Sequence, residues 1–391
     1  LIFTTLFPNA EHENHGVFVE NRLRHLVGSG EVTATVLAPV PYFPSGLAGF
    51  GAWSRLARVP LVERRHGLSV HHPRYLSIPR VGMSVAPKLL AHAAVDAVRA
   101  LLRQGCRFDA IDAHYLYPDG VAAIALGRKF GLPVVMTARG SDVTQLPNYM
   151  LPRRAIRRAI ASADGLVAVS AALKEAMVGL GAAPEKVTVL RNGVDTALFQ
   201  PAGREAARAE LGLSGPVLIS VGQLIERKRH HLTIAAMRSL PGFTLLILGE
   251  GPQRARLAAL VAEYGLGERV RLLGAHPHQE LPRLYAAADA MVLASSREGW
   301  ANVLLEAMAC GTPVVATNIW GNPEVVQSAE AGLIVDDATP EGIASGVAKL
   351  FAALPDRAAT RAYAQRFGWQ ETTAGQLALF RRAIECRAAA R

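Results

Sequence analysis

Short apolar runs alternate with amphipathic segments along almost the whole chain. Residues 1–6, 31–40, 108–111, 133–137, 165–170 and 187–190 read as strands in the first half. Residues 217–221, 243–248, 270–273, 290–294, 313–317 and 332–335 repeat the pattern in the second half. Continuous aliphatic runs bounded by glycine, proline or polar residues suit strands buried on both faces, as in parallel sheets. Residues 17–27, 85–103, 151–161 and 370–387 carry helical spacing instead. The regular exchange of strand and helix predicts an α/β fold.

The 391 residues are enough for about two domains. Arg191-Asn192-Gly193-Val194-Asp195, followed by Phe199-Gln200-Pro201, reads as a turn and linker between two stretches of α/β alternation. The expected division is residues 1–196, residues 206–368, and a final helical segment, 369–391.

The most informative stretch lies in the second half. A buried strand, 290–294, ends in the polar loop Ser296-Arg297-Glu298-Gly299-Trp300. A helix rich in alanine and leucine follows and is stopped by Gly311 and Pro313, ahead of the next strand. Glu298 then sits off a strand's carboxyl end, where open parallel sheets bind ligands. Glu306 lies eight positions on, inside the helix. Free amides at the helix start, near Ala301, Asn302 and Val303, suit a pyrophosphate. A carboxylate on either side of that anion site accepts hydrogen bonds from sugar and ribose hydroxyls, so a nucleotide-sugar is the expected ligand.

Glu298, seven intervening residues, Glu306 and then Ala-Met-Ala-Cys-Gly-Thr-Pro-Val-Val-Ala resemble the signature of retaining glycosyltransferases of family 4. The resemblance runs over nearly the whole chain and is strongest from 187 to 320. It implies the GT-B fold: two Rossmann-like domains facing across a cleft, with a C-terminal helix that crosses back to the first domain after Phe367-Gly368-Trp369. Phe7-Pro8-Asn9 with His15-Gly16-Val17-Phe18-Val19-Glu20-Asn21-Arg22 resembles a subgroup that makes bacterial surface polysaccharides, including teichuronic-acid-type enzymes.

Site residues follow from that resemblance. Gly16, in a loop before a helix, matches the glycine that covers the donor phosphates, with His15 where the family usually has a second glycine. His114, after Asp112-Ala113, matches a histidine beside the donor sugar, where it would help hold the 6-hydroxyl; Asp112 replaces the family's first histidine. Ala138-Arg139-Gly140 departs from the usual His-Gly, which leaves Arg139 to bind an anionic acceptor or leaving phosphate and Asp142 to bind an acceptor hydroxyl. Gln223 takes the place of an arginine that normally neutralises the diphosphate. Lys228 keeps the place of its lysine partner, and Arg227 is a candidate for the missing charge. The loop at Ala275 would frame the nucleotide base with its backbone. Glu306 would accept from the ribose, and Glu298 would orient the sugar hydroxyls.

Composition narrows the rest. Hydrophobic residues make up 50% and charged residues 19%, which excludes a disordered chain. Cys106, Cys310 and Cys386 are widely spaced and form neither a disulfide framework nor a zinc pattern, which fits a reducing cytoplasm. No secretory signal is expected, since residues 1–7 open directly as a strand, and a few residues are expected to precede Leu1. The net charge is +10, with 21 Lys/Arg against 13 Asp/Glu in residues 1–190. Such a basic half suits anionic partners. Arg153, Arg154, Arg157 and Arg158 share one broad helical face, and Tyr42, Phe43, Phe50 and Trp53 stand among glycines ahead of Arg55, Arg58, Arg64 and Arg65. Both stretches suit an anionic membrane surface, the second equally an acceptor groove. No nucleic-acid recognition motif accompanies the charge.

These features point to a retaining, metal-independent transferase that moves a sugar from a UDP- or GDP-sugar to a glycan or lipid-linked acceptor, without a cofactor, at the inner face of the cell membrane. A sugar-nucleotide epimerase of the same fold and a non-catalytic nucleotide-sugar binding protein are the alternatives.

Overall fold

The computed structural model describes residues 1–42, 56–77, 82–201 and 203–389. Phe43, Phe50, Trp53 and Arg55 lie outside the described residues. The chain divides into two compact units, Leu1–Arg191 with Gln370–Arg391, and Asn192–Trp369. The first division falls before the expected residue 196. The reason is local: Asn192 and Val194 already bond within the second unit, through Trp300 Nε1 to the Asn192 carbonyl at 3.0 Å and the Val194 amide to the Phe367 carbonyl at 2.9 Å.

In the first unit the strands are β1 (Ile2–Phe3), β2 (Thr35–Leu37), β3 (Val40–Tyr42), β4 (Val62–Arg65), β5 (Leu68–His71), β6 (Arg74–Leu76), β7 (Ile111–His114), β8 (Val134–Ala138), β9 (Gly165–Ala168) and β10 (Val187–Val189). Eight of them form one sheet among the described residues, in the order β10-β9-β8-β7-β1-β2-β5-β4. Every pair is parallel except the β4–β5 hairpin at the edge. Strands β7, β8 and β9 are buried along their full length, as expected of a sheet covered on both faces. The run expected as one strand at 31–40 is divided: β2 joins the large sheet, and β3 pairs with β6 in a separate ribbon.

Helix Gln370–Ala389 belongs to this unit. Its Leu377 joins the core of Ile2, Phe7, Val19, Leu23, Val36 and Val70. Its Leu379 and Ala383 pack with Val135, Val167 and Leu190.

The second unit contains β11 (Val217–Val221), β12 (Thr244–Leu248), β13 (Val270–Gly274), β14 (Ala290–Leu293), β15 (Val314–Thr317) and β16 (Gly332–Val335). They are all parallel, in the order β13-β12-β11-β14-β15-β16. This is the doubly wound arrangement, and its order reverses between β11 and β14, where such sheets bind ligands at the strands' carboxyl ends. The loops at that point, 222–229 and 294–301, hold Lys228 and Glu298. In the first unit the equivalent reversal lies between β1, whose following loop holds Gly16, and β7, whose last residue is His114.

Part of the arginine content serves the interior. Arg204, Arg208 and Arg357 donate to the carbonyls of Ala286, Ala287 and Ala288, which close helix Leu281–Ala287. Such carbonyls lack intrahelical partners and need donors when they are not in water.

Candidate active site

In the second unit the two loops meet through three charges. Lys228 Nζ donates to Glu298 Oε1 at 2.7 Å, and Arg227 Nη1 donates to Glu298 Oε2 at 3.2 Å. Arg227 also donates to the Arg297 carbonyl, while its own carbonyl accepts from the Ser296 amide at 2.8 Å. Glu298 is 6% exposed. Burial pushes its carboxyl up, but the charges of Lys228 and Arg227 outweigh this and hold it below its ordinary value. Two cations therefore gather at the carboxyl end of β11, although Gln223, which is exposed, supplies none.

Close backbone approach builds this loop pair. A Cβ on Gly249, after β12, would lie 1.9 Å from the Gly222 carbonyl oxygen. Gly222 in turn faces the Lys228 stem, with a Cβ there 3.1 Å from Lys228 Cε. Loop 249–251 thus fixes the turn from which Lys228 reaches Glu298.

Glu306, in helix Asn302–Ala309, has both oxygens engaged: His278 Nε2 is 3.3 Å from Oε1, and Tyr285 donates to Oε2 at 3.1 Å. Tyr285 is fully buried, and burial, then the Glu306 charge, pushes its hydroxyl pKa up. Asn302 N–H turns back to the Trp300 carbonyl at 3.1 Å, and Leu304 N–H bonds the Ala301 carbonyl at 3.0 Å. Asn302 Oδ1 accepts from Asn192 Nδ2 at 3.2 Å. No side chain caps this helix, and Val303 is half-buried at its first turn. Ala275 is exposed beside Gly274, after β13.

The first unit holds a buried polar chain at the end of β7. His114 is 1% exposed. Its Nδ1 lies 2.7 Å from Arg139 Nη2 and its Nε2 3.3 Å from Asp112 Oδ2. Arginine only donates, so Nδ1 accepts, and the hydrogen-bond pattern assigns the ring proton to Nε2, facing the carboxylate. Burial, outweighing the Asp112 charge, brings the His114 pKa down to about 4. Gln376 of the C-terminal helix donates to the same Asp112 oxygen at 2.7 Å and accepts from Arg22 Nε at 2.8 Å. Arg22 is itself 2% exposed.

His114 has both ring nitrogens engaged, Nε2 by Asp112, which stands where the family has histidine, and Nδ1 by Arg139. Asp142 is fully buried and accepts from the amides of Leu116, Arg139 and Gly140 at 2.8, 3.1 and 2.7 Å. It pins the loop after β8. Arg139, expected to bind an anion, lies against His114 and over the Phe18 ring at 5.3 Å. Gly16 is held by contact as well as by its φ of 75°, since a Cβ would sit 2.4 Å from the Leu6 carbonyl group. The loop after β1 therefore closes tightly ahead of helix Val17–Gly28.

Two family models match the chain: "Glycosyltransferase Family 4" over residues 62–198 and "Glycosyl transferases group 1" over 203–367. A D-inositol 3-phosphate glycosyltransferase of Catenulispora acidiphila is 31% identical over 357 residues, covering 83% of this chain and 84% of that protein. The chain belongs to glycosyltransferase family 4. A second such enzyme, from Segniliparus rotundus, is 33% identical to this transferase over 71% of the chain and 67% of its own length. Among solved structures, sucrose-phosphate synthase from Thermosynechococcus elongatus superposes with a TM-score of 0.80 at 22% identity, over 98% of each chain. Anabaena HepE in complex with UDP and glucose gives 0.73 at 21% identity, over 96% of this chain and 97% of that one. The fold of the transferase is therefore GT-B.

The transferase brings Glu298, Lys228 and Arg227 together in one cluster, and His114, Arg139 and Asp142 into another. It also uses residues that carried no signal in sequence. Tyr285 and His278 reach Glu306 from the strand–helix unit before it, and Arg22 and Gln376 are 354 positions apart. Asp119, fully buried, accepts from the Thr5 amide at 2.7 Å and from both Thr4 and Thr5 hydroxyls, tying the β1 loop to the segment after β7. Among the described residues, no group of three or more His, Cys, Asp or Glu is placed to hold a metal ion, and no helix is long and apolar enough to cross a membrane.

Proposed function

We propose that this transferase moves a sugar, with retention, from a UDP- or GDP-sugar to a glycan or lipid-linked acceptor in bacterial polysaccharide or glycolipid synthesis. The observation that carries this reading is the pair of cations on the Glu298 carboxylate, at the reversal point of the second sheet. Lys228 and Arg227 supply positive charge where a diphosphate would depart, and stabilisation of developing charge by fixed groups is commonly the largest catalytic contribution. On binding, the donor's sugar hydroxyls share Glu298 with Lys228, and the ribose hydroxyls compete with Tyr285 and His278 for Glu306. The bond from the anomeric carbon to the phosphate oxygen breaks as the acceptor oxygen bonds to that carbon on the same face. The acceptor's proton passes to the leaving diphosphate, so no protein nucleophile is needed. Charge neutralisation by Lys228 and Arg227 makes the step independent of a metal ion. The inositol-phosphate acceptor named for the relatives supports a polar, hydroxyl-bearing acceptor for this chain.

Nucleoside diphosphate release from a panel of UDP-, GDP- and ADP-sugars, with and without EDTA, tests the reading. Release from one donor that survives EDTA and collapses in Glu306→Ala is expected. Release abolished by EDTA would overturn the metal-free step, and saturable binding without release in the presence of acceptors would favour a binding protein.

A further inference from the structure

Helix Met150–Ser162 in the first unit buries Pro152, Ile156, Ala159 and Ile160 and turns Arg153, Arg154, Arg157 and Arg158 to solvent. Tyr149, Met150 and Leu151, at its start, are 50%, 64% and 54% exposed. Three consecutive large apolar residues are thus left in water beside four cations. The Gly82–Ser84 turn packs against this helix and adds Met83, also exposed.

Several other surface arginines have carboxylate partners. Arg58 pairs with Glu11, Arg254 with Glu250, Arg256 with Glu226 and Arg283 with Glu210. Among the described residues no carboxylate pairs with Arg153, Arg154, Arg157 or Arg158. Their spacings of three and four set like charges beside one another on the helix, which is unfavourable without an external anion. Lys186 adds a further cation at the helix end, 3.3 Å from the Ala161 carbonyl. The four arginines lie on a convex helical face, so a single small anion cannot neutralise them together. A nucleic acid would match the charge and leave Met150 and Leu151 exposed. A lipid layer matches both, since phosphates pair with arginine while the layer beneath receives apolar side chains.

We propose that the exposed face of helix Met150–Ser162 docks on an anionic phospholipid surface, with the four arginines pairing to lipid phosphates and Met150 and Leu151 entering the interface. This surface is independent of which donor the transferase uses, and vesicle binding reports on it without any transfer reaction.

The test is co-sedimentation of the full chain with vesicles of phosphatidylcholine alone and of phosphatidylcholine mixed with phosphatidylglycerol. Binding to the mixed vesicles, weakened by salt, is expected. The variant R153Q/R154Q/R157Q/R158Q should lose affinity by about 1000-fold, at roughly 1 kcal/mol for each of the four charges near such a surface. M150S/L151S should weaken binding and leave its salt dependence in place. The control R254Q/R256Q/R283Q, on the second unit, should bind like the unaltered chain, and circular dichroism checks that each variant is folded. Absence of binding to mixed vesicles, equal binding to neutral vesicles, or equal binding by the quadruple arginine variant overturns the proposal. Tight binding to a single-stranded DNA homopolymer without vesicle binding would assign the face to nucleic acid instead.

Discussion

Lys228 Nζ stands 2.7 Å from Oε1 of Glu298, a carboxylate only 6% exposed. The pair joins the loops after β11 and β14 and is both a brace and a reservoir of charge. Removing one partner leaves a buried charge with reduced compensation, at about 3 kcal/mol. Lys228→Ala is expected to show this in urea unfolding and to lower kcat by roughly 100- to 1000-fold. Arg227→Ala, which removes a side chain 31% exposed against 12% for Lys228 and a longer bond to the same carboxylate, should cost less in both. Equal effects from the two variants would show that the sites act interchangeably.

Gly249 tests whether the loop pair depends on close approach. Its φ is 142°, and a Cβ would meet the Gly222 carbonyl oxygen at 1.9 Å. Gly249→Ala should destabilise the second unit by about 2–3 kcal/mol and weaken donor binding, because the turn before Lys228 must shift. Calorimetric melting together with a donor titration reads both effects. An unchanged melting temperature would mean that the loop relaxes at no cost.

Glu306 separates a structural from a ligand-binding role. Its Oε2 is the acceptor for the fully buried Tyr285 hydroxyl. Glu306→Ala leaves that hydroxyl without its acceptor and should cost about 1–3 kcal/mol of stability as well as donor affinity. In Tyr285→Phe the carboxylate is retained and released for ribose hydroxyls, so donor affinity should hold or rise. A fall in affinity as large as that of Glu306→Ala would indicate that Tyr285 orients the carboxylate for the ligand.

Two buried groups in the first unit give opposing pH dependence. Burial lowers His114 to about 4 from an ordinary 6.5, so between these values the unfolded chain binds a proton that the folded chain does not, and stability rises with pH. Burial raises Asp119 to about 7 from an ordinary 3.8, so over that window the folded chain holds the extra proton and stability falls with pH. From pH 4 to 6.5 the two slopes offset each other. Asp119→Asn removes one of them, and its urea-unfolding free energy should climb with pH across that window more steeply than in the unaltered chain, by up to about 1.4 kcal/mol per pH unit. Parallel pH profiles would show that Asp119 is ionised in the folded chain throughout.

The alternation of strand and helix was legible because buried parallel strands are nearly pure aliphatic runs; Val217–Val221 and Gly332–Val335 coincide with their expected bounds. The edge hairpin of β4 and β5 was not, since Val62–Arg65 is polar and half in water. Of the site, Glu298 and Lys228 could be found because each falls in a contiguous stretch after an apolar strand. Arg22 and Gln376 were hidden for the opposite reason. A buried arginine looks like a surface one in sequence, and its partner lies on the last helix. The Asp112 and Arg139 departures were read as separate oddities, whereas the fold places them on the two nitrogens of His114.

The first unit takes its last helix from residues 370–389, after the whole of Asn192–Trp369 has been laid down in the chain. During synthesis from the N-terminus, the second unit is complete and able to fold while the first still lacks Leu377, Leu379 and Gln376. Until that helix arrives, the apolar faces of β8 and β9 and the Arg22 guanidinium stay uncovered. A ribosome that stalls or terminates near residue 369 would release a polypeptide with one finished half and one adhesive half. The first unit is therefore one packing body written in two separated pieces of sequence, and chimeras that exchange it must graft both pieces together.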